Sequence, residues 1–320
     1  MLSRVADAMY WMNRYIERAE NYARFMDVSF NLTLELPPNV SEQWQPLVVT
    51  TGDWKLYADM YKSIDKEKVV YFLGFDPGNP NSIYNCISKA RENARSIRPE
   101  ITKELWEQIN HLYYFVKNGL EKKQWKKKDP RAYFDEIKKG CQLFWGIIDA
   151  TISRTEGWHF GRIGKLLERA DKTSRILDVK YHMLLPSPKD VGTPLDIIQW
   201  TALLKSVSAY DMYRKNNGKL SPEGIASFLI LDTEFPRSML RCLNNAEMSL
   251  KKISGQVSGY ANKAEKELGL LSSQLEYADI NEIIESGLHE YLDNFQIRLN
   301  HVSTAIFNSF FSIDNIIAKM

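Results

Sequence analysis

The strongest constraint on this fold is that one stretch of the chain occurs twice. The segment 14–28, RYIERAENYARFMDV, returns as 165–179, KLLERADKTSRILDV, with Glu, Arg, Ala, Arg, Asp and Val at matching places. A second block, 72–90, matches 228–246 in the same order along the chain. Two collinear matches indicate a tandem duplication. We therefore expect two halves, residues 1–154 and 155–320, that pack intimately and share one core.

Apolar residues recur with a helical period along the chain, and almost nothing alternates with a period of two. Prolines also stand where helices tolerate them, near predicted helix starts. We predict an all-α helical bundle built from two halves related by a pseudo-twofold axis. Proline-containing segments at 36–38 and 185–188 end the charged helix in each half. The predicted helices are 3–34, 41–61, 65–74, 79–97, 99–118 and 130–154, then 157–185, 194–215, 221–231, 234–254, 257–272 and 279–318.

Composition excludes several broad functions. The chain has 42 basic and 40 acidic residues, a net charge of +2, so no overall field favours nucleic acid or an anionic membrane. The lysine-rich run 122–128 is predicted to be a solvated loop. No apolar run is long enough to cross a bilayer, and we expect a cytoplasmic protein. Without a C-x-x-C pair, the repeat-equivalent Cys86 and Cys242 are expected to be buried, reduced thiols.

Charged residues form a narrow stripe along each copy of the repeated helix, at spacings of three, four and three residues. Apolar residues flank each stripe, which predicts that the stripe is buried. Burying an ion costs several kcal/mol unless another group compensates its charge, so we expect the stripes to have a structural or functional role. The two stripes consist of Glu17, Glu20, Arg24 and Asp27, and of Glu168, Asp171, Arg175 and Asp178.

Three interpretations of the stripes are open. In the first, Arg24 and Arg175 bridge the carboxylates across the pseudo-twofold axis and fix the register of two long helices. In the second, the stripes line a polar cavity that binds an amino acid, a peptide end or a similar charged molecule. In the third, the carboxylates hold paired metal ions. No histidine follows Glu17 or Glu168 by three residues, and the histidines are scattered, so we expect neither a metal nor a cofactor.

The two halves differ in their other arginines. The first half has Arg91 and Arg95 on one predicted helix face, and the second half has Arg237 and Ser238 at a helix start. Either these are solvated basic faces, or Arg91, Arg95 and Arg237 converge on one anion-binding region. The candidate ligand-binding residues are therefore Arg18, Glu20, Arg24, Arg91, Arg95, Arg169, Asp171, Arg175, Arg237 and Ser238.

Taken together, the segments 15–21, 167–171, 91–95 and 235–238 resemble the bacterial alpha-E family, a helical domain named for its Glu-Arg motif. The resemblance covers essentially the whole chain. It implies no established activity. Members are typically encoded beside a circularly permuted ATP-grasp protein and often a transglutaminase-like cysteine protease, which implies a role in making, trimming or modifying peptides or amides. This chain supplies the motifs of neither chemistry, so both would belong to partners.

The expected function is a substrate-binding or scaffold component of a peptide- or amide-forming system that works with an ATP-grasp ligase. The ligand would be a small amino-acid-like or peptide molecule. The first alternative is an enzyme acting on such a substrate, with Glu17 or Glu168 as general acid or base. The second alternative is the carboxylate-bundle metal protein.

Overall fold

A computed structural model describes residues 1–35, 44–127, 129–182 and 193–312. Within these ranges the chain forms fifteen α-helices and no strand, which confirms the all-α prediction. The proline segments 36–38 and 185–188 lie outside the described residues. None of the described helices combines the length and the apolar composition that a bilayer crossing requires.

The helices of the described residues divide between the two halves of the chain. In the first half they are α1 Ser3–Glu35, α2 Gln45–Thr51, α3 Trp54–Met60, α4 Lys66–Gly74, α5 Ile83–Ser96, α6 Lys103–Glu121 and α7 Arg131–Thr151. In the second half they are α8 Glu156–His182, α9 Pro194–Ser206, α10 Tyr210–Asn217, α11 Pro222–Leu231, α12 Met239–Ser254, α13 Lys263–Glu276, α14 Ile280–Glu285 and α15 Leu288–Ile306.

The two charged helices, α1 and α8, pack against each other at the centre of the molecule. Helices α5 and α7 cover α1, and α12 and α15 cover α8. Ile16 and Leu167 have no exposed surface, and neither do the stripe residues Glu17 and Glu168. The burial predicted for the stripes, and the contact between the two long helices that the first interpretation requires, are therefore both observed.

Three predicted helices are each two helices, because the backbone enters the left-handed region inside them. The segment 41–61 breaks at Gly52, where φ is 81°, and 194–215 breaks at Ser208, where φ is 55°. The segment 279–318 breaks at Gly287, where φ is 96°. Left-handed residues end helices, so each long prediction was wrong at that point.

The serine caps move two other helix starts. The predicted helices 79–97 and 234–254 begin instead at Ile83 and Met239, since Ser82 and Ser238 accept hydrogen bonds from the first turn. The predicted helices 99–118 and 257–272 both begin and end too early, since α6 is Lys103–Glu121 and α13 is Lys263–Glu276. The other predicted bounds that fall on described residues agree more closely.

The cysteine and lysine predictions concern side chains that the structure describes. Cys86 and Cys242 are buried and free, as predicted, and burial raises their pKa values to about 12 and about 11. The run 122–127 lies between α6 and α7, and its lysines are exposed. Trp125 within it packs on Tyr71 and Phe75.

Close contact between α1 and α8 depends on Gly164. A Cβ atom at this position would lie 2.3 Å from the backbone oxygen of Tyr10, well inside van der Waals contact. Backbone cannot move away as a flexible side chain can, so any larger residue must push the two helices apart. The position of Gly164 therefore sets how closely the charged helices approach.

We expect Gly164→Ala to lower the free energy of unfolding by about 1–3 kcal/mol, the usual cost of overpacking a core. Urea denaturation would measure the loss. Gly146→Ala in α7 is the matched control, because nothing lies within 4 Å of a Cβ built there. The control should be neutral or slightly stabilising, since alanine is the better helix former. Equal stability of the two variants would contradict the close-contact argument.

Candidate functional site

The two Glu-Arg motifs exchange partners across the contact between α1 and α8. Arg169 donates from Nε and Nη2 to the two carboxylate oxygens of Glu17, at 2.8 Å each. Arg18 donates from Nε and Nη2 to the two oxygens of Glu168, at 2.6 and 3.0 Å. Both contacts are bidentate, the strongest geometry for such a pair. The arginine of each motif therefore neutralises the glutamate of the other.

The order of the two residues explains this exchange. Consecutive residues leave a helix about 100° apart, so Glu17 can lie inside the contact while Arg18 reaches around its edge. The Glu17 side chain is completely buried, whereas 15% of the Arg18 side chain is exposed. Each arginine thus lies at the edge of the contact and reaches the carboxylate of the other helix.

A larger ion cluster surrounds Glu17 and Glu20. Arg237 donates to Glu17 at 3.2 Å and forms a short contact with Glu20. Arg24 donates to Glu20 at 2.7 Å, and the indole nitrogen of Trp145 donates to the same carboxylate at 3.1 Å. Burial raises the pKa of Glu20, but Arg237 and Arg24 outweigh it and lower the pKa to about 2. Burial, together with Arg24, lowers the pKa of Arg237 to about 10.

The corresponding cluster on the other side surrounds Glu168 and Asp171. Arg14 donates to Glu168 at 2.9 Å, in addition to Arg18, and the Lys172 ammonium lies 3.5 Å away. Lys172 also contacts Asp171, at 2.6 Å. Burial raises the pKa of Glu168, but Arg18, Lys172 and Arg14 together hold it well below its usual range. Burial also opposes ionisation of Asp171, yet its cationic neighbours lower that pKa to about 2.

The prediction that Arg24 and Arg175 bridge the carboxylates across the two helices was wrong. Each binds the carboxylate four residues earlier on its own helix, at 2.7 and 3.1 Å. A spacing of four places two side chains next to each other on one helix face. Each arginine therefore pairs with the carboxylate of its own helix and not with one on the other helix. Each guanidinium also donates to a backbone oxygen, that of Ser206 at 3.0 Å for Arg24 and that of Thr50 at 2.9 Å for Arg175.

The predicted convergence of Arg91, Arg95 and Arg237 is also wrong. Arg91 donates to Asn110 on α6 at 2.7 Å. Arg95 contacts Glu92 on its own helix, and 69% of its side chain is exposed. Arg237 is buried among the carboxylates of α1. A buried carboxylate without a counterion is costly, and Arg237 supplies one. Arg91 and Arg95 both contact Glu92, whereas Arg237 contacts Glu17 and Glu20, so the three guanidiniums do not meet at one region.

Ser238 serves the backbone instead of a ligand. Its hydroxyl accepts a hydrogen bond from the backbone nitrogen of Arg241 at 3.2 Å and donates to the backbone oxygen of Asp232. The hydroxyl therefore caps α12, and Ser238 has no exposed surface.

These contacts limit the chemistry of Glu17 and Glu168. An effective general acid or base has a pKa near the working pH, and the pKa values of both carboxyls are lowered. Both carboxylates also lack exposed surface and already bind more than one cationic side chain. A metal ion would have to displace those arginines. The arrangement suits structural pairing better than catalysis or metal binding.

An open cavity of about 430 Å³ lies beside Arg169. Tryptophans form part of its walls, and cations lie against their rings. The Lys165 ammonium is 4.2 Å from the centroid of the Trp145 ring. The guanidiniums of Arg154 and Arg162 lie 5.4 and 5.3 Å from the Trp158 ring. Other described residues of the lining include Met9, Met12, Asn13, Asp149, Gly157, Gly161, Arg241 and Asn245.

The cations of this cavity fall into two groups. Arg169 and Arg241 form ion pairs with Glu17 and Glu234. Among the described residues, no carboxylate lies within salt-bridge distance of Arg154, Arg162 or Lys165. Burial, with a contribution from Arg169, lowers the pKa of Lys165 to about 8. Burial also lowers the pKa of Arg162, which donates to Asn245 at 2.6 Å. An anion bound here would recover the electrostatic free energy that burial costs these groups.

Sequence reasoning missed this cavity. Its signal lies in the comparison of the repeats, where Lys165 stands in the place of Arg14 and Gly161 in the place of Tyr10. On the first-half side, Tyr10, Arg14 and Arg18 line a separate cavity of about 400 Å³. There Arg14 donates to Glu168, to the Tyr10 hydroxyl and to Ser303. Arg18, Asp171 and Arg175 line a smaller cavity of about 180 Å³.

A second group of chemically capable residues lies at the end of α8. Asp178, His182 and His289 place potential metal-ligating atoms within 4.8 Å of one another. The sequence-based view that the histidines are scattered therefore fails for two of them. The spacing of four between Asp178 and His182 was a usable signal, since it places both side chains on one helix face.

Comparison with known proteins gives a family but no activity. Residues 1–311 match the model of Alpha-E, described as a predicted alpha-helical domain with a conserved ER motif. Uncharacterized proteins of Mycobacterium bovis and Mycobacterium tuberculosis are 22% identical over 311 residues, covering 90% of this chain. The chain spans about a third of the length of these curated relatives, 34%. No solved structure matches the chain.

Proposed function

The chain belongs to the Alpha-E family, and from the cavity beside its Glu-Arg pairs we propose that it binds a small organic anion with an apolar part. We further propose that this ligand is the carboxylate of an amino-acid-like or peptide molecule. The chain would then be the substrate-binding component of a peptide- or amide-forming system that works with an ATP-grasp ligase. The cations Arg154, Arg162 and Lys165 carry the proposal, because they line a tryptophan-walled cavity and have no carboxylate within salt-bridge distance in the described part of the chain.

The composition of the cavity favours a ligand with two parts. Guanidinium and ammonium groups are donors for a carboxylate, and a carboxylate bound by several of them gains charge-assisted hydrogen bonds. Tryptophan rings and the methionines Met9 and Met12 supply apolar contacts for the remainder. A volume of about 430 Å³ is that of a pocket for a small molecule. Free phosphate would use the cations but not the aromatic walls.

The tandem duplication explains why we propose one site and not two. We infer that the halves are related by a pseudo-twofold axis, because helices starting at Trp54, Lys66 and Ile83 have counterparts starting at Tyr210, Pro222 and Met239. The exchanged Glu-Arg pairs obey the same relation. The halves differ at the cavities, where Arg14 is paired and its counterpart Lys165 is free of such a pair. We infer that this difference leaves the cavity beside Arg169 with a positive charge that can bind an anion.

The test uses a matched pair of ligands. An N-acetylated dipeptide with a free C-terminal carboxylate, containing an aromatic residue, should bind in isothermal titration, and its C-terminal amide should bind at least about tenfold more weakly. Lys165→Met and Arg162→Met should each weaken binding of the acid about ten- to a hundredfold, the loss of a charge-assisted contact. Titration should be repeated with the neighbouring ATP-grasp protein present.

Surface substitutions provide the control. Lys126→Met removes a charge from an exposed side chain in the segment between α6 and α7, which contains none of the cavity-lining residues, and it should leave binding unchanged. Acid and amide peptides that bind equally, or cavity variants that bind like the wild type, would refute the proposal. If the peptides bind only with the ATP-grasp protein present, and the cavity variants still weaken that binding, the shared-system part of the proposal is supported.

A scaffold role without ligand binding makes the opposite prediction. If the chain is only a scaffold, the wild type and the cavity variants should bind the ATP-grasp protein equally well, and the cavity substitutions should not change the response to any small ligand. The enzyme alternative, with Glu17 or Glu168 as acid or base, is less favoured because both carboxylates are buried and paired. It would regain support if peptide turnover by the isolated chain disappeared in Glu17→Gln.

A further inference from the structure

We propose that Asp178, His182 and His289 form a binding site for a divalent transition-metal ion of the zinc class. This site is independent of the proposed peptide cavity. It would connect the end of α8 to the start of α15, two helices that are far apart in sequence. It also revises the expectation that the chain binds no metal.

The geometry brings the three side chains together in a suitable arrangement. Nδ1 of His289 lies 2.7 Å from one carboxylate oxygen of Asp178, and Nε2 of His182 lies 3.7 Å from the other. Donor atoms of all three residues lie within 4.8 Å of one another. Donors around a zinc ion, each about 2.0–2.2 Å from the metal, are about 3–3.5 Å apart. Small side-chain movements therefore suffice to admit an ion.

The donor set matches the chemistry of such an ion. Two imidazole nitrogens and one carboxylate oxygen suit zinc and its neighbours, whereas magnesium and calcium prefer oxygen alone. Three protein donors leave a further coordination position for water or another group. Asp178 is only 5% exposed, and an ion would compensate the cost of burying its charge.

Neighbouring groups already orient one of the rings. The other ring nitrogen of His289 faces a carboxylate oxygen of Asp293 at 3.7 Å. The ring also stacks on Tyr181, with centroids 4.0 Å apart and an interplanar angle of 5°. A carboxylate behind a histidine ligand is a common outer-shell arrangement that fixes the ring and increases its basicity.

The first half shows what the same position looks like without this donor set. Asp27, the repeat counterpart of Asp178, forms a short ion pair with Lys138 of α7. A lysine ammonium is a fixed cation with no lone pair for a metal. At Asp178 the neighbours are imidazoles, which can donate a lone pair when they are neutral. The partner of Asp27 is thus a lysine, which can only form an ion pair, whereas the partners of Asp178 are histidines, which can also bind a metal ion.

The test is titration of the metal-stripped chain with Zn²⁺, by calorimetry and by competition with a chelating dye. We expect one saturable site per chain. Asp178→Asn and His289→Gln should each weaken Zn²⁺ binding about a hundredfold or more, since even outer-shell changes cost ten- to a hundredfold. His111→Gln and His301→Gln, which alter histidines outside the cluster, should bind Zn²⁺ as the wild type does.

Two measurements keep the test decisive if a variant unfolds. Far-ultraviolet circular dichroism reports whether each variant is folded. His182→Gln is a third ligand variant, and it changes a partly exposed side chain at the end of α8. X-ray absorption of the wild-type chain loaded with Co²⁺ should show imidazole scattering from two histidines. Absence of saturable binding, wild-type affinity in a folded His289→Gln or His182→Gln variant, or Co²⁺ spectra without imidazole ligands would overturn the proposal.

Discussion

Glu168→Gln should lower the free energy of unfolding by about 3–5 kcal/mol, the cost of breaking a buried ion pair on one side. Arg14, Arg18 and Lys172 all lie within salt-bridge distance of this one carboxylate. Glutamine keeps the size of the side chain but cannot balance these charges. Urea denaturation monitored by circular dichroism would measure the effect.

The same substitution at the surface is the control. Glu92 is also contacted by two arginines, Arg91 and Arg95, but 53% of its side chain is exposed. Glu92→Gln should therefore change the unfolding free energy by less than about 1 kcal/mol. Adding Arg18→Met to Glu168→Gln should restore part of the lost stability, because one of the uncompensated cations is removed. Equal losses for Glu92→Gln and Glu168→Gln would disprove the importance of the buried pairing.

The stability of the protein should remain steady from neutral pH to about pH 5 and then fall steeply towards pH 2. A carboxyl whose pKa is lower in the folded than in the unfolded chain stabilises the fold above the unfolded value, and this stabilisation is lost as pH falls through the folded value. The pKa of Glu20 falls from 4.5 to about 2 and that of Asp171 from 3.8 to about 2. Glu20 alone would contribute about 3 kcal/mol at neutral pH.

Unfolding free energies measured in urea at a series of pH values would test this dependence. Asp27 and Asp178 act in the opposite direction, because burial raises their pKa values and protonation relieves that cost. Their effect should only soften the decline. Glu20→Gln should lose stability at neutral pH and should show a shallower acid slope than the wild type. An unchanged slope in this variant would contradict the assignment.

The repeated pattern was sufficient to predict the helical class, the burial of the stripes and the contact between α1 and α8. It was not sufficient to choose the pairing. Arg24 lies on the stripe and Arg18 beside it, and only the rotation and crossing of the helices decide which one reaches across. The spacing of residues along the sequence gives the positions of side chains on one helix. The exchanged pairs also depend on how the second helix is placed against the first.

The candidate sites were harder to predict because they depend on tertiary neighbours. The cavity lining combines residues of several elements, and most of its positive charge comes from α8 and the turn before it. His289 meets Asp178 across 111 residues of sequence. No local pattern could reveal that proximity, although the two copies of the repeated sequence carry different residues at positions that line the cavities.

The exchange of Glu-Arg partners has a consequence for synthesis on the ribosome. The paired residues are 150 and 152 positions apart, so α1 emerges well before the arginine that neutralises Glu17. At about 5–20 residues per second, the delay is about 8–30 s. During that time a native-like burial of Glu17 would leave its charge without Arg169 or Arg237. The native counterions of Glu17 are therefore complete only once α8 and the turn before α12, which carries Arg237, have been synthesised.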